Sequence, residues 1–143
     1  MMLRASMFMV LLLLLPVMLT GQQTPPSGPA NPLLQAWTTP FGVPPFAEIK
    51  PEHFLPAIRA GVDAQRKEID AIAANPEPPT FANTIEAMEN AGELLAKVSP
   101  VFSNMQSSNT NEQLQAINRE VAPLLTALRD DIRLNPALFA RVK

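Results

Sequence analysis

Residues 78–95 read PPTFANTIEAMENAGELL and combine a helix terminator, a helix start and a long apolar stripe. The two leading prolines end any preceding helix, because proline lacks an amide hydrogen and disfavours helix in the residue before it. A new helix is therefore predicted to begin directly after them. Thr80 and Asn83 can each cap its first turn, and Glu86 follows Asn83 by three residues in a capping-box-like arrangement. The sequence favours neither cap over the other.

The helix that starts in this stretch is predicted to run to about Gln106, because apolar side chains continue at helical intervals. Pro100 lies inside it and is predicted to kink the helix near residues 96–99, since it removes one backbone hydrogen bond. Gly92 falls on the apolar side, which we interpret as close approach of a neighbouring helix. Residues 103–111 are predicted to form a polar connection.

Two other long helices are predicted, one before and one after this helix. In both, apolar residues recur at spacings of three, four and seven, with charged residues on the other faces. The first is expected to span about 51–74 or 54–74. The third is expected to span about 110–133 or 111–133, starting from Thr110 or Asn111 as cap.

A fourth helix is predicted at the end of the sequence. Asn135 provides its cap and Pro136 its first helical position. The sequence reaches Lys143 after barely two turns and without a terminating signal, so we expect an incomplete domain. The predicted fold class is all-α: an amino-terminal helical lobe of three long antiparallel-type helices and a truncated fourth.

The amino-terminal residues are predicted to lie outside this fold. Residues 1–21 are typical of a secretory signal peptide, with Arg4 preceding an apolar run at 7–19. That run is shorter than the roughly 20 residues of a membrane span, and an uncleaved anchor is the alternative. Either way we expect export to the periplasm or beyond the cell, with membrane contact only through this segment. Residues 22–32 are predicted to be a disordered linker, because they contain almost nothing to bury.

The folded domain, residues 33–143, is predicted to open with a proline-rich extended arm. Large apolar side chains alternate with prolines up to residue 50, which forbids a long helix but allows the arm to wrap across a helical surface. Trp37 is its predicted anchor. A packing role is favoured over ligand stacking, because no convergent polar groups accompany this side chain.

Composition excludes several classes of function. The formal net charge is −2, without the clustered lysines and arginines that phosphate contacts require, so a nucleic-acid partner is not expected. The sequence has no cysteine, which excludes a disulfide framework, a thiol nucleophile and a thiolate metal ligand.

The residues by themselves predict no active site. His53 is the single histidine and has no second imidazole or cysteine to complete a zinc site, so a packing or capping role is favoured. Glu86, Glu89 and Glu93 share one helix face, and a solvated face is favoured over acid–base catalysis.

Several motifs, in order, carry a family resemblance that covers roughly residues 31–143. The most specific are residues 49–57 (IKPEHFLPA), 68–76 (EIDAIAANP), 79–86 (PTFANTIE) and 134–142 (LNPALFARV). On these motifs the chain resembles the amino-terminal region of the dipeptidyl carboxypeptidases. These belong with oligopeptidase A in the thimet-oligopeptidase-like family of zinc metallopeptidases.

The resemblance implies a two-lobed, mostly helical enzyme several times longer than this chain, acting on short peptides. Its zinc would be held by a His-Glu-x-x-His helix and a further glutamate. None of these residues has a counterpart here, so no catalytic, cofactor-binding or metal-ligating residue is assigned. The implied partner is the remainder of the peptidase chain, which carries the catalytic lobe, and these helices would help to roof the substrate channel.

Two hypotheses of function follow. In the first, the chain is the amino-terminal fragment of an exported zinc peptidase and is inactive alone. In the second, it is a small exported helical module that binds or regulates other molecules on the same scaffold without catalysis. The first is favoured because the fourth helix is cut short at Lys143.

Overall fold

A computed structural model describes residues 30–143 of the chain. The predicted signal peptide and the linker up to residue 29 lie outside the described residues. Within them the structure is helical and contains no strand, which confirms the all-α prediction. The elements are, in chain order, 3-10 turns at Pro32–Leu34, Pro40–Gly42 and Pro51–His53, α1 at Phe54–Ala73, a π-helical turn at Phe81–Glu86, α2 at Ala87–Asn90, α3 at Glu93–Ser108, α4 at Glu112–Arg133 and α5 at Pro136–Val142.

Helix α1 is central and packs against both α3 and α4. The rings of Phe54 on α1 and Phe102 on α3 lie 5.1 Å apart between centroids. Near the middle of α1 the backbones come close, since a Cβ added to Gly61 would lie 3.1 Å from the Cα of Leu95. The side chains of one continuous core are Leu33, Phe54, Ala57, Ile58, Val62, Leu95, Val98, Val101, Phe102, Leu114, Ile117, Val121 and Leu128.

The amino-terminal arm lies on this helical core. The indole of Trp37 packs against the core, and its Nε1 donates a hydrogen bond to the Pro32 carbonyl at 3.1 Å. The Nζ of Lys97 on α3 sits 4.5 Å from the centre of the indole ring. The predicted packing role of Trp37 is therefore confirmed.

The folded region begins earlier than the predicted boundary at residue 33. Asn31 accepts a hydrogen bond from the Leu33 amide at 3.0 Å, and its Nδ2 donates to the His53 carbonyl at 2.8 Å. Pro32 is buried. The last two residues of the predicted linker thus belong to the fold, because a single asparagine ties the arm to the start of α1.

The sequence allowed either Thr80 or Asn83 as the cap of this helix, and in the structure the cap is Thr80. Its Oγ1 accepts the Asn83 amide at 3.1 Å, and the Oδ1 of Asn83 accepts the Thr80 amide at 2.8 Å. The two candidates are thus the two halves of one capping box. Glu86, the expected partner of Asn83, is exposed instead.

The continuous helix predicted from residue 80 to 106 is wrong, because the helix breaks at residues 91–92. Ala91 is extended and Gly92 adopts a left-handed conformation with φ of 85° before α3 begins. The Gly92 amide donates to Glu68 Oε2 on α1 at 2.6 Å. Close approach of a neighbouring helix was expected at Gly92 and is observed, since an added Cβ would lie 2.4 Å from Gln65 on α1. The break therefore separates α2 from α3, although the apolar pattern of the sequence continues across it.

The predicted polar connection at 103–111 is also wrong over most of its length. Helix α3 continues through Pro100 to Ser108, leaving only residues 109–111 between helices. Met105 packs against the core, and Gln106 Nε2 donates to the Leu114 carbonyl at the start of α4. The observed end of α3 at Ser108 lies two residues beyond the predicted helix end at about Gln106, so only the start of the predicted connection is misplaced.

Replacing Gly92 with alanine is expected to lower the free energy of unfolding by about 1–2 kcal/mol, because a Cβ disfavours the left-handed conformation. Urea unfolding followed by circular dichroism measures this. The double variant Gly92→Ala, Gln65→Ala removes the side chain that the new Cβ would meet. If the double variant recovers full stability relative to Gln65→Ala, the cost was a clash and not the backbone conformation.

Candidate functional site

His53 is a capping residue in this fold. Its Nδ1 accepts the Lys50 amide at 3.1 Å, just before the Pro51–His53 turn. Its carbonyl accepts the side-chain amide of Asn31. The capping role predicted for His53 is confirmed.

The chain's own residues do not fit a zinc site. No group of three or more His, Cys, Asp or Glu side chains converges among residues 30–143 in a way that could hold a metal ion. Residues 1–29 contain none of these four residue types. The one imidazole already uses its Nδ1 in the cap.

Glu86, Glu89 and Glu93 are exposed, which confirms the solvated-face interpretation. The break at Gly92 also separates Glu93 from the helix that carries Glu89. A shared acid–base pair would need a concave site to shift one pKa relative to the other. Glu89 and Glu93 line an open hollow of about 460 Å³ together with Asn90, Ala91 and Ala96, and both side chains remain exposed there.

Sequence reasoning missed the role of Arg141 on α5. Its guanidinium donates to the carbonyls of Asn75 and Glu77 at 2.7 and 3.1 Å, just beyond the end of α1. It also donates to Asn83 Oδ1 at 2.9 Å and approaches Thr84 Oγ1 at 3.5 Å. We call this set of contacts the Arg141 clamp. It joins α5 to the proline-rich turn and to the capping box, which are 57 to 66 residues earlier in the chain.

No local pattern predicts the clamp. An arginine in the last turn of a helix is ordinarily expected to bind the last carbonyls of that same helix, where it also interacts favourably with the helix dipole. The carbonyls that Arg141 binds belong to another helix end. Its Nε is buried and lacks a hydrogen-bond partner among the described residues.

Beside the clamp lies an apolar groove of about 190 Å³. Helix α5 forms one wall, and α2 and the end of α4 form the rest. Its lining residues are Met88, Ile132, Arg133, Asn135, Leu138, Phe139 and Val142. Leu138 is only 3% exposed, whereas Phe139 is 66% and Val142 48% exposed. The groove therefore presents large apolar side chains that the described residues do not cover.

Among residues 30–143, no helix combines the length and the apolar character that crossing a membrane would require.

Comparison with protein-family models gives no match. Comparison with curated proteins gives a match of 45% identity over 112 residues to the dipeptidyl carboxypeptidase of Escherichia coli, and the same identity to that of Salmonella typhimurium. The match to Escherichia coli oligopeptidase A is 29% identical over 96 residues.

The matches cover unequal shares of the proteins compared. They include 78% of this chain for the dipeptidyl carboxypeptidases and 67% for oligopeptidase A. The chain in turn spans only 16% and 14% of the length of these relatives. An identity of 45% over more than a hundred residues agrees with the motif-based resemblance. The chain therefore belongs to the family of dipeptidyl carboxypeptidase and oligopeptidase A.

Proposed function

We propose that the chain forms the amino-terminal helical part of an exported zinc metallopeptidase that removes dipeptides from the carboxyl end of short peptides. The observation that carries this proposal is the 45% identity to dipeptidyl carboxypeptidase over 112 residues. The chain corresponds to 16% of that relative, so catalysis is assigned to the remainder of the longer protein. Alone, the chain is inactive.

The residues present indicate a structural role for this chain and a catalytic role for the rest of the longer protein. A zinc peptidase needs imidazole and carboxylate ligands together with a water-activating carboxylate, and this chain cannot assemble such a set. What it supplies is a rigid stack of helices around a continuous apolar core. In the proposed enzyme this stack forms part of the lobe that roofs the channel and limits entry to short peptides.

Export is the second part of the proposal. It is supported by Arg4 and the apolar run at 7–19, the pattern of a secretory signal. Fusion of residues 1–32 to a reporter enzyme that is active only outside the cytoplasm tests it. Reporter activity is expected with the native run, and its loss is expected when two leucines of the run are replaced by arginine.

The peptidase proposal is tested with a chimera. In it, the 112 matching residues of Escherichia coli dipeptidyl carboxypeptidase are exchanged for those of this chain. The chimera with Zn²⁺ is expected to release the carboxyl-terminal dipeptide from an amino-blocked tripeptide, measured by chromatography. The 143-residue chain with the same metal and substrate is expected to release none.

Two results would contradict the proposal. Dipeptide release by the purified chain alone would show that catalytic residues lie within it. A chimera that folds and is soluble but has no activity would favour the second hypothesis, a helical binding module on a related scaffold. The unmodified Escherichia coli enzyme and its metal-depleted form are the positive and negative controls.

A further inference from the structure

Helix α5 is apolar on two sides. Leu138 points into the fold and is 3% exposed, whereas Phe139 and Val142 face outward and are largely accessible. A helix at the edge of a soluble domain normally has one apolar face and one polar face. A second apolar face is expected where a helix lies between two packed layers.

The outward face is held in a fixed position. Helix α5 has seven residues, and a helix this short is marginal in isolation. Asn135 caps it through bonds to the amides of Ala137 and Leu138, both 3.0 Å long. The Arg141 clamp then fastens it to the turn after α1 and to the capping box. These contacts fix the position of α5, so Phe139 and Val142 line the groove together with Met88 and Ile132 before any partner arrives.

We propose that this apolar groove receives an amphipathic helix from the part of the longer peptidase that lies outside the residues described here. The inference rests on the proposed function, because it needs the remainder of that protein. It follows from the 16% share of the relatives that this chain spans, which leaves most of their length available to cover exposed surfaces. A groove between helices with apolar walls suits a helix that presents apolar residues at three- and four-residue intervals.

The chemistry of the groove restricts the partner further. Six of its seven lining residues carry no charge, and Arg133 is the exception. The bound helix is therefore expected to insert leucine, isoleucine, phenylalanine or methionine, with a carboxylate placed toward Arg133. Seven residues of α5 are about 10 Å long, which matches two turns of the incoming helix.

The first test places Phe139→Ser and Val142→Ser together in the chimera. The matched control is Val43→Ser with Phe46→Ser in the arm, since Val43 and Phe46 are 46% and 49% exposed. The groove variant is expected to lose at least tenfold in the yield of soluble, active chimera, and the arm variant less than twofold. The same groove variant in the 143-residue chain is expected to leave the urea midpoint unchanged, because both side chains are already exposed there.

Failure of this inference is distinguishable from failure of the proposed function. An active chimera whose yield and activity are unaffected by the groove variant would overturn the inference and leave the proposed function standing. An unsubstituted chimera that folds without activity would contradict the proposed function, and the proposed occupant of the groove with it.

A second readout does not depend on activity. The chain has no cysteine, so Val142→Cys introduces a single thiol. Labelling with a thiol reagent is expected to be complete in the chain and at least tenfold slower at this position in the chimera, measured against the chimera without the substitution. Equal rates would overturn the inference. So would a concentration-dependent dimer of the chain in sedimentation that the groove variant abolishes, because a second copy would then be the occupant.

Discussion

Replacing Phe54 with alanine is expected to lower the free energy of unfolding by about 3–5 kcal/mol, the usual cost of removing a buried phenylalanine. Phe54 is 1% exposed, begins α1 and packs its ring against Phe102 on α3. Its removal would leave a cavity where the arm and the central helices meet, because these elements share one core. The urea midpoint of the 143-residue chain, followed by circular dichroism, measures the loss.

The control for this prediction is Phe81→Ala. Phe81 is 73% exposed, so the same change in side chain removes little buried surface and is expected to alter stability by less than about 0.5 kcal/mol. If Phe54→Ala and Phe81→Ala gave equal shifts, the packing described for the start of α1 would be contradicted. A typical domain is stable by about 5–15 kcal/mol, so the loss expected for the Phe54 variant is a large share of the total.

Replacing Arg141 with methionine is expected to cost about 2–3 kcal/mol. Methionine keeps much of the aliphatic length but removes every donor of the clamp, and it leaves the carbonyls of Asn75 and Glu77 without this partner. Hydrogen bonds to a charged group contribute about 1.5–3 kcal/mol each. The expected cost is smaller than the sum over the four contacts, because part of the clamp is exposed to solvent. Urea unfolding gives the total. Hydrogen exchange of the α5 amides is expected to rise most, because α5 loses its attachment.

Arg129→Met is the matched control, since it removes the same charge from an exposed position on α4. It is expected to change stability by less than about 0.5 kcal/mol. Arg141→Lys is expected to recover at most half of the loss, because one ammonium cannot reproduce a planar fork that binds several acceptors. Full recovery by lysine would show that charge alone, and not the geometry of the clamp, holds α5.

Most of the helices could be predicted because their signals are local. The apolar period of α1 and α4 needs no partner to be recognised, and the predicted bounds lie within a few residues of those observed. Asn111, one of the two predicted caps of α4, accepts a hydrogen bond from the amide three residues later. Asn135, the predicted cap of α5, accepts hydrogen bonds from the amides two and three residues later. Capping chemistry acts within one turn, so it is visible in the sequence.

The features that prediction missed depend on residues far apart in the chain. The Gly92 amide at the break donates to Glu68, 24 residues earlier, and Gln106 near the end of α3 donates to the Leu114 carbonyl on α4. The Arg141 clamp joins α5 to residues about 60 positions away. The periodic apolar pattern runs through Gly92 unchanged, so the break in the helix is visible only from the backbone at this point and its contacts with α1.

The all-α class and the family resemblance could be read from the sequence, because both follow from residue types and their local spacing. It also marked residues 78–95 as a stop followed by a helix start. The packing of the helices was needed to show where that stretch breaks, how α5 is attached to it and which apolar side chains remain exposed beside it. A side chain is buried only when another surface packs against it, and that surface can come from a distant part of the chain. Leu138 and Phe139 are adjacent apolar residues, yet the position of α5 against its neighbours leaves one 3% and the other 66% exposed.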